Sequence, residues 1–494
     1  MKKLLLGIDV GTSSCKVALF TLDGEVVSQS SEHYPTYYPA PGWVEQNPEE
    51  WWAQVCQSIL NCLEDEQVDK EQVAGIGIAG QGWSAIPIDR DGNCLHNTPI
   101  WLDTRATELS ETVSKAIGEK NIFDLSGNSF SPSYTTPKLM WFKEHMPELF
   151  EKTYKFLQCS SYIGLKLTDT IYSDRSQSYG LHFYNPYTFQ YDEEMAEKLS
   201  IPLDKIPPNF QSHEVIGHVT KEAAAVTGLK EGTPVVAGGL DAACGTLGAG
   251  VINNYETQLQ GGQAGGVSIC LEKPVAHPKL IFSPHVVPGR WLLQGGTVGG
   301  SGALRWFKQE FGSDQSFDEL TQLASQVPEG SEGVVFLPYL AGERSPIWNT
   351  NAKGLFYGLS FKDTKKHMIR AVLEGVVFSV YHNLLAAKEA GVDIAELDIH
   401  AMGGAANSEL WIQMYSDVTG CQIKVPSSDT ATTLGAALLA GVGIGAYQDF
   451  EQAVNQTVNI QRTHVPNFES KKKYETSLQT YLKLSELMNK EMFV

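Results

Sequence analysis

The chain has no CxxC pair. Its eight cysteines, Cys15, Cys56, Cys62, Cys94, Cys159, Cys244, Cys270 and Cys421, are scattered, which excludes a local dithiol or zinc motif and fits a reducing compartment. No uncharged apolar run reaches the ~18 residues of a membrane helix; 434–447 comes nearest and is mostly Ala and Gly. The apolar stretch after Met1-Lys2-Lys3 is too short for a signal peptide and meets Asp9 at once, so a cytoplasmic protein with no membrane partner is expected. Positive charge is scarce: 37 Lys and Arg against 57 Asp and Glu leave a net charge of −20, with no basic cluster beyond 471–473. Nucleic acid is therefore not an expected partner. An anionic ligand must be held by backbone N–H groups, a metal or a few local cations. There is also no GxxxxGK[ST] loop and no GxSxG elbow.

What remains is an ordinary globular composition, 42% hydrophobic and 19% charged over 494 residues, enough for two to four domains at roughly 100–200 residues each. Residues 4–10, 15–20 and 25–30 read as strands of a β-meander, with Gly11-Thr12-Ser13-Ser14 and Asp23-Gly24 as turns. A helix follows, capped by Asn47 with Pro48 first, and its apolar stripe is Trp52, Val55, Cys56, Ile59, Leu60 and Leu63. Strands at 73–79 and 84–88 flank Gly80-Gln81-Gly82. A strand, glycine turn, strand unit recurs at 255–271 around the turn 261–266, which points to an internal duplication. The boundary is expected near 250, giving domains 1–250 and 251–494, with the glycine-rich 238–250 as a hinge. The strand 397–402 leads through Gly403-Gly404-Ala405-Ala406-Asn407 to a helix from Ser408.

Each glycine turn carries two readings. Asp9 beside Gly11-Thr12-Ser13 makes either an N–H cradle for an anion or a plain hairpin with a satisfied carboxylate. The turn 261–266 is a second such cradle or a glycine-rich hairpin. Asp241, between Gly238-Gly239 and Gly245, can accept a proton from a hydroxyl nucleophile or cap a helix. Gly403-Gly404-Ala405 lets a flat ring approach the backbone or simply closes a tight connection. Two patterns fail: Gly75, Gly77 and Gly80 match GxGxxG but sit in a strand rather than opening a helix, and His213-Glu214 with His218 has one residue too many for a zinc-protease motif, while Gly217 breaks the helix that would align the two imidazoles.

Jointly, Gly7-Ile8-Asp9-Val10-Gly11-Thr12-Ser13, Gly42-Trp43-Val44-Glu45-Gln46, Gly77-Ile78-Ala79-Gly80-Gln81, Trp101-Leu102-Asp103-Thr104-Arg105, Pro137-Lys138-Leu139, Gly238-Gly239-Leu240-Asp241, Leu337-Pro338-Tyr339-Leu340-Ala341-Gly342-Glu343-Arg344-Ser345-Pro346 and Gly403-Gly404-Ala405 run in order over nearly the whole chain. In these segments it resembles the FGGY carbohydrate kinases, most of all their xylulokinase branch. The resemblance implies an α/β, two-domain actin-like ATPase (ribonuclease H-like) fold with duplicated halves and an interdomain cleft. It implies ATP and Mg²⁺, a small sugar acceptor, and a homodimer among the expected assemblies. It places Asp9 at the metal, Thr12 and Ser13 at the phosphates, Asp241 as catalytic base also touching the substrate, and Gly403, Gly404, Ala405 and Asn407 on the adenine side. Gln81, Gly82, Trp83, Trp101, Asp103 and Arg105 are the expected acceptor contacts, with core packing the alternative for both tryptophans. Two departures stand out. The γ-phosphate loop, usually Gly-Thr-Ser or Gly-Thr-Gly, reads Gly262-Gln263-Ala264, and Gly82-Trp83 and Asp241-Ala242 stand where xylulokinases carry Met-His and Asp-Asn. An indole in place of a hydrogen-bonding ring implies an acceptor other than D-xylulose, with Trp83 as a stacking face. A sugar or nucleotide sensor on the same fold is the rival reading.

Overall fold

A computed structural model describes residues 3–64, 68–427 and 430–493. The chain forms two compact units, each built on its own mixed sheet. In the first unit β1 (Leu4–Val10), β2 (Ser14–Thr21) and β3 (Val26–His33) form the expected antiparallel meander. On the other side of β1 the sheet continues through β4 (Val73–Gly80), parallel to it, and then β5 (Val215–His218) and β6 (Pro234–Val236) in the order β5-β6-β4-β1-β2-β3. The two-residue strand β7 (Gly239–Leu240) also pairs with β4. The helix Pro48–Leu63 starts as expected, Asn47 Oδ1 accepting the Glu49 N–H at 3.0 Å ahead of Pro48. Its buried face is rotated from the one expected: Trp51 and Cys62 are fully buried, whereas Trp52, Leu60 and Leu63 are half-buried. Trp51 turns inward because Gln46 Oε1 accepts its Nε1–H at 3.1 Å.

The second unit repeats this plan. β8 (Glu256–Gly261) and β9 (Gly265–Leu271) are antiparallel, β8 runs parallel to β11 (Asp398–Met402), and β10 (Trp291–Thr297), β12 (Ile423–Pro426) and β13 (Ile460–His464) extend the order to β10-β9-β8-β11-β12-β13. Meander, parallel centre and antiparallel far edge therefore occur twice, as a duplication requires. The helix Lys365–Glu389 has the length and hydropathy of a membrane span, but 78% of its apolar window is buried within the fold. Its Val372, Val376 and Val377 belong to the second unit's core.

Two expectations are corrected. The first unit is not a continuous 1–250: it comprises Met1–Ile252, Ser283–Trp291 and Thr430–Val458. Late in the chain, the helix Ala431–Gly443 returns to pack on β1 and β4 so closely that a Cβ on Gly7 would lie 1.9 Å from the Thr433 carbonyl oxygen, and one on Gly77 1.8 Å from that of Ala436. Nor is 238–250 a loose hinge. Its core is the helix Asp241–Gly248, packed against Ala431–Gly443 with Gly248 and Gly435 at the contact. Close backbone approach, rather than flexibility, explains these glycines.

Candidate functional site

In the first unit the strand register gathers the predicted residues. Asp9 on β1 lies opposite Ala79 on β4, Ala79 lies opposite Gly239 on β7, and Leu240 pairs with Gly80, so Asp241 emerges beside the Gly80-Gln81-Gly82 turn. Burial pushes the Asp9 carboxyl up to about 8; the negative charge of Asp241 adds to the shift and Lys16 opposes it. Asp9 Oδ1 is buried without a hydrogen-bond partner. Asp241 is the first residue of its helix, with Leu240 in the cap position, and its Oδ1 accepts the Ala242 N–H at 2.6 Å. Its carboxylate thus sits at a helix N-terminus without acting as the cap residue.

Gln81 is held by both ends. Its backbone N–H donates to Val10 O at 2.9 Å, and its Nε2 donates to Gln46 Oε1 at 2.8 Å, leaving Oε1 buried and unpartnered. Trp83 differs from the expected sugar-facing platform. Its backbone is left-handed at φ 62°, it is only 7% exposed, and its ring stacks on Tyr134 with centroids 4.1 Å apart. One face of the indole is taken by Tyr134, and its Nε1–H is buried and unpartnered. Lys138 secures the bend by donating to Trp83 O and Ser133 O, both at 2.7 Å, and desolvation pulls its ammonium down to about 7.

Trp101, Asp103 and Arg105 are engaged within the protein. Trp101 Nε1 donates to Thr12 Oγ1 at 3.0 Å. Arg105 Nη2 bridges Asp103 Oδ2 at 2.8 Å and Glu45 Oε1 at 2.7 Å, its guanidinium 4.0 Å from the Trp43 ring centroid. Asp103 Oδ2 also accepts the Val44 N–H at 2.6 Å. These contacts lock the turn at 101–105 to residues 43–45, which makes Asp103 and Arg105 a frame for the site. Ser13 is exposed on the first turn. Gln46, Tyr134, Lys138 and the Asp174–Gln177 segment were not singled out from sequence for a role. Lys138 lies in a quoted family segment, but its partner Trp83 O belongs to a distant turn that only the fold brings near.

In the second unit the expected nucleotide residues converge. Gly262-Gln263-Ala264 joins β8 to β9. The helix Gly300–Phe311 holds this turn from behind: Ser301 N–H donates to Gly262 O at 2.8 Å, Gly302 N–H to Gln263 O at 3.0 Å, and Ser301 Oγ to Gly261 O at 2.7 Å. A Cβ on Gly302 would meet Gln263 Nε2 at 2.5 Å, so the unusual amide packs where that residue has no side chain. Glu343 of the quoted family segment, raised to about 6 by burial, holds the preceding turn through Thr297 Oγ1 at 2.6 Å and Val298 N–H at 2.9 Å. Gly403, at φ 84°, starts a 3₁₀ turn over Gly404–Asn407 that abuts the phosphate turn: a Cβ on Gly261 would lie 2.4 Å from Ala405 Cβ. Arg462 Nη2 donates to Ala406 O and secures this turn, and Asn407 is exposed.

Among the described residues Glu332, Asp363 and His367 also cluster within metal-binding distance. His367 Nδ1 accepts the Thr364 N–H at 3.1 Å, so the neutral ring carries its hydrogen on Nε2, and Lys362 already pairs with Glu332 at 2.9 Å. Asp363 Oδ2 accepts from Ser360 N–H at 2.7 Å, while its Oδ1 is buried without a partner.

From residue 4 to 248 the chain matches the N-terminal domain of the FGGY family of carbohydrate kinases, and from 267 to 444 the C-terminal domain of the same family. It is 30% identical to a xylulose kinase of Bacillus subtilis, over 97% of this chain and 96% of that one. It is 31% identical to a gluconokinase of Bacillus licheniformis, over 99% and 97%. The fold is similar to that of a gluconate kinase from Lactobacillus acidophilus, with a TM-score of 0.92 at 26% identity over 99% of both chains.

Proposed function

The chain belongs to the FGGY family of carbohydrate kinases and is an ATP-dependent sugar kinase; we propose that Asp241 is its general base and that the acceptor is the primary hydroxyl of a small ketose, polyol or sugar acid. Phosphoryl transfer needs in-line alignment and charge neutralisation more than covalent help. Asp241 accepts the hydroxyl proton as the oxygen attacks, and the Ala242 N–H fixes the carboxylate's orientation. The Gln81–Trp83 turn receives the acceptor. The N–H groups of 262–264 hold the transferred phosphate, and Gly403, Gly404, Ala405 and Asn407 receive the adenine side. Mg²⁺ fits Asp9: a carboxyl with an unpartnered oxygen, raised first by burial and then by a second carboxylate, is what a divalent cation relieves. When bound, Mg²⁺ neutralises phosphate oxygens.

The observation that carries this reading is the Asp9 and Asp241 pair beside the Gln81 turn. The test is a coupled ATP-turnover screen over pentuloses, hexuloses, polyols and aldonates, with wild type and Asp241→Asn in parallel. Asp241→Asn is expected to bind ATP normally and to turn over ~10²–10⁴-fold more slowly. Unchanged turnover removes the base assignment. ATP binding without turnover on any acceptor favours the sensor reading, which Gln263 motivates.

A further inference from the structure

Asp241 is delivered by a weak strand. β7 is two residues long and makes two pairs with β4, too little ladder to set where the base stands relative to the acceptor turn. A second device spans the gap. The one-turn helix Arg175–Ser178 is capped by Asp174, whose Oδ1 accepts the Gln177 N–H at 3.0 Å. Ser176 Oγ gives its hydrogen to the same Oδ1 at 2.6 Å, which leaves its lone pairs for the Leu240 N–H at 2.9 Å, one residue before Asp241. Gln177 Nε2 reaches the other strand end, donating to Gly80 O at 2.9 Å and to Gln81 O at 3.4 Å. All three side chains are fully buried. The fit is tight: a Cβ on Gly239 would lie 2.6 Å from Ser176 Oγ. One turn therefore grips both strand ends, one leading to the base and the other forming the acceptor turn, about 160 residues apart in sequence.

We propose that Asp174, Ser176 and Gln177 form a positioning clamp that fixes the base relative to the acceptor hydroxyl. The proposal rests on Asp241 being the base. Because a misplacement of about 1 Å can cost ~10²-fold in rate, loss of one arm should act on transfer rather than on ATP binding. It should also let water compete with the misplaced hydroxyl. Ser178 supplies the control: it is equally buried in the same turn, and its Oγ donates to Asp174 O without touching either strand end.

The experiment measures kcat, the KM values for acceptor and ATP, and sugar phosphate formed per ATP consumed. It uses the full chain and whichever panel acceptor turns over fastest. Ser176→Ala is expected to lower kcat ~10–100-fold, to leave the KM for ATP unchanged and to lower the yield per ATP, whereas Ser178→Ala keeps the wild-type yield. Gln177→Met should reproduce the Ser176→Ala signature, and it decides the matter if Ser176→Ala does not fold. Equal kcat and yield in the Ser176 and Ser178 variants, or a wild-type yield in Gln177→Met, overturns the clamp. Asp241→Asn, run alongside, separates the two readings: wild-type turnover there removes the base and the clamp's purpose together. A slow Asp241→Asn beside an unaffected Ser176→Ala removes the clamp alone.

Discussion

At Trp83 stability and use pull against each other. Its φ of 62° is uncommon for a large side chain, and its buried Nε1–H has no partner. An unmade buried hydrogen bond costs about 1–3 kcal/mol, and the stack on Tyr134 at 4.1 Å offsets part of that. If the acceptor supplies the missing partner, Trp83→Phe keeps the stack, removes the orphan donor and produces a more stable, poorer enzyme. The expected outcome is a gain of about 1 kcal/mol in urea unfolding without ligand, with kcat/KM for the best acceptor falling about tenfold or more. A more stable variant with wild-type kcat/KM would make Trp83 pure packing. Trp83→His, the residue usual in xylulokinases, is expected to shift the kcat/KM ratio toward D-xylulose even as total activity falls. The departure at Gln263 is accommodated locally, since Gly302 leaves room for its amide.

The elements that hold the site are joined by bare backbone. The helix Ala431–Gly443 lies against the helix Asp241–Gly248, where a Cβ on Gly435 would stand 1.8 Å from Cys244 O and one on Gly248 1.8 Å from Ala431 O. A methyl there has only backbone atoms to displace. Gly435→Ala is thus expected to destabilise the first unit by ~1–3 kcal/mol or more and to slow transfer by shifting the helix that begins with Asp241; thermal unfolding and kcat together check this, and a wild-type melting temperature would refute it. This contact also shows where sequence stopped being informative. The meander, the helix from Pro48 and both glycine turns were legible because their signals are local: alternation, a cap, a turn residue. The roles of Gly7, Gly77, Gly248 and Gly435 depend on partners far along the chain, so Gly77 reads as part of a failed nucleotide motif and Gly248 as part of a hinge. The contacts of Asp103 and Arg105 with residues 43–45 were hidden for the same reason, since Glu45 and Trp43 lie about 60 residues upstream and nothing local marks them as partners.

For the molecule as a whole, a net charge of −20 means that neutralising carboxylates relieves self-repulsion, and each unit also buries a carboxyl whose charged form is disfavoured. Burial raises Asp174 to about 6 in the first unit and Glu343 to about 6 in the second, against their hydrogen-bond donors. For both, the folded state binds its proton more tightly than the unfolded chain. Their contribution to stability is fully present below about pH 4, near the unfolded pKa, and is lost as pH rises through about 6. Lys138 acts in a different range: lowered to about 7 in the fold, it adds stability as pH rises from there toward its ordinary value near 10.5. Glu343 gives the cleanest test because it lies outside the proposed clamp and the Asp9 and Asp241 pair. Glu343→Gln removes the titration while keeping an acceptor for Thr297 or Val298. Whatever its absolute stability, the difference between wild type and variant should change with pH. At 1.36 kcal/mol per pKa unit, a rise from 4.5 to about 6 predicts that wild type loses about 2 kcal/mol relative to Glu343→Gln between pH 4 and pH 7. Calorimetric melting of both proteins across that range measures it, and a constant difference would mean that Glu343 titrates in the fold as it does in the unfolded chain.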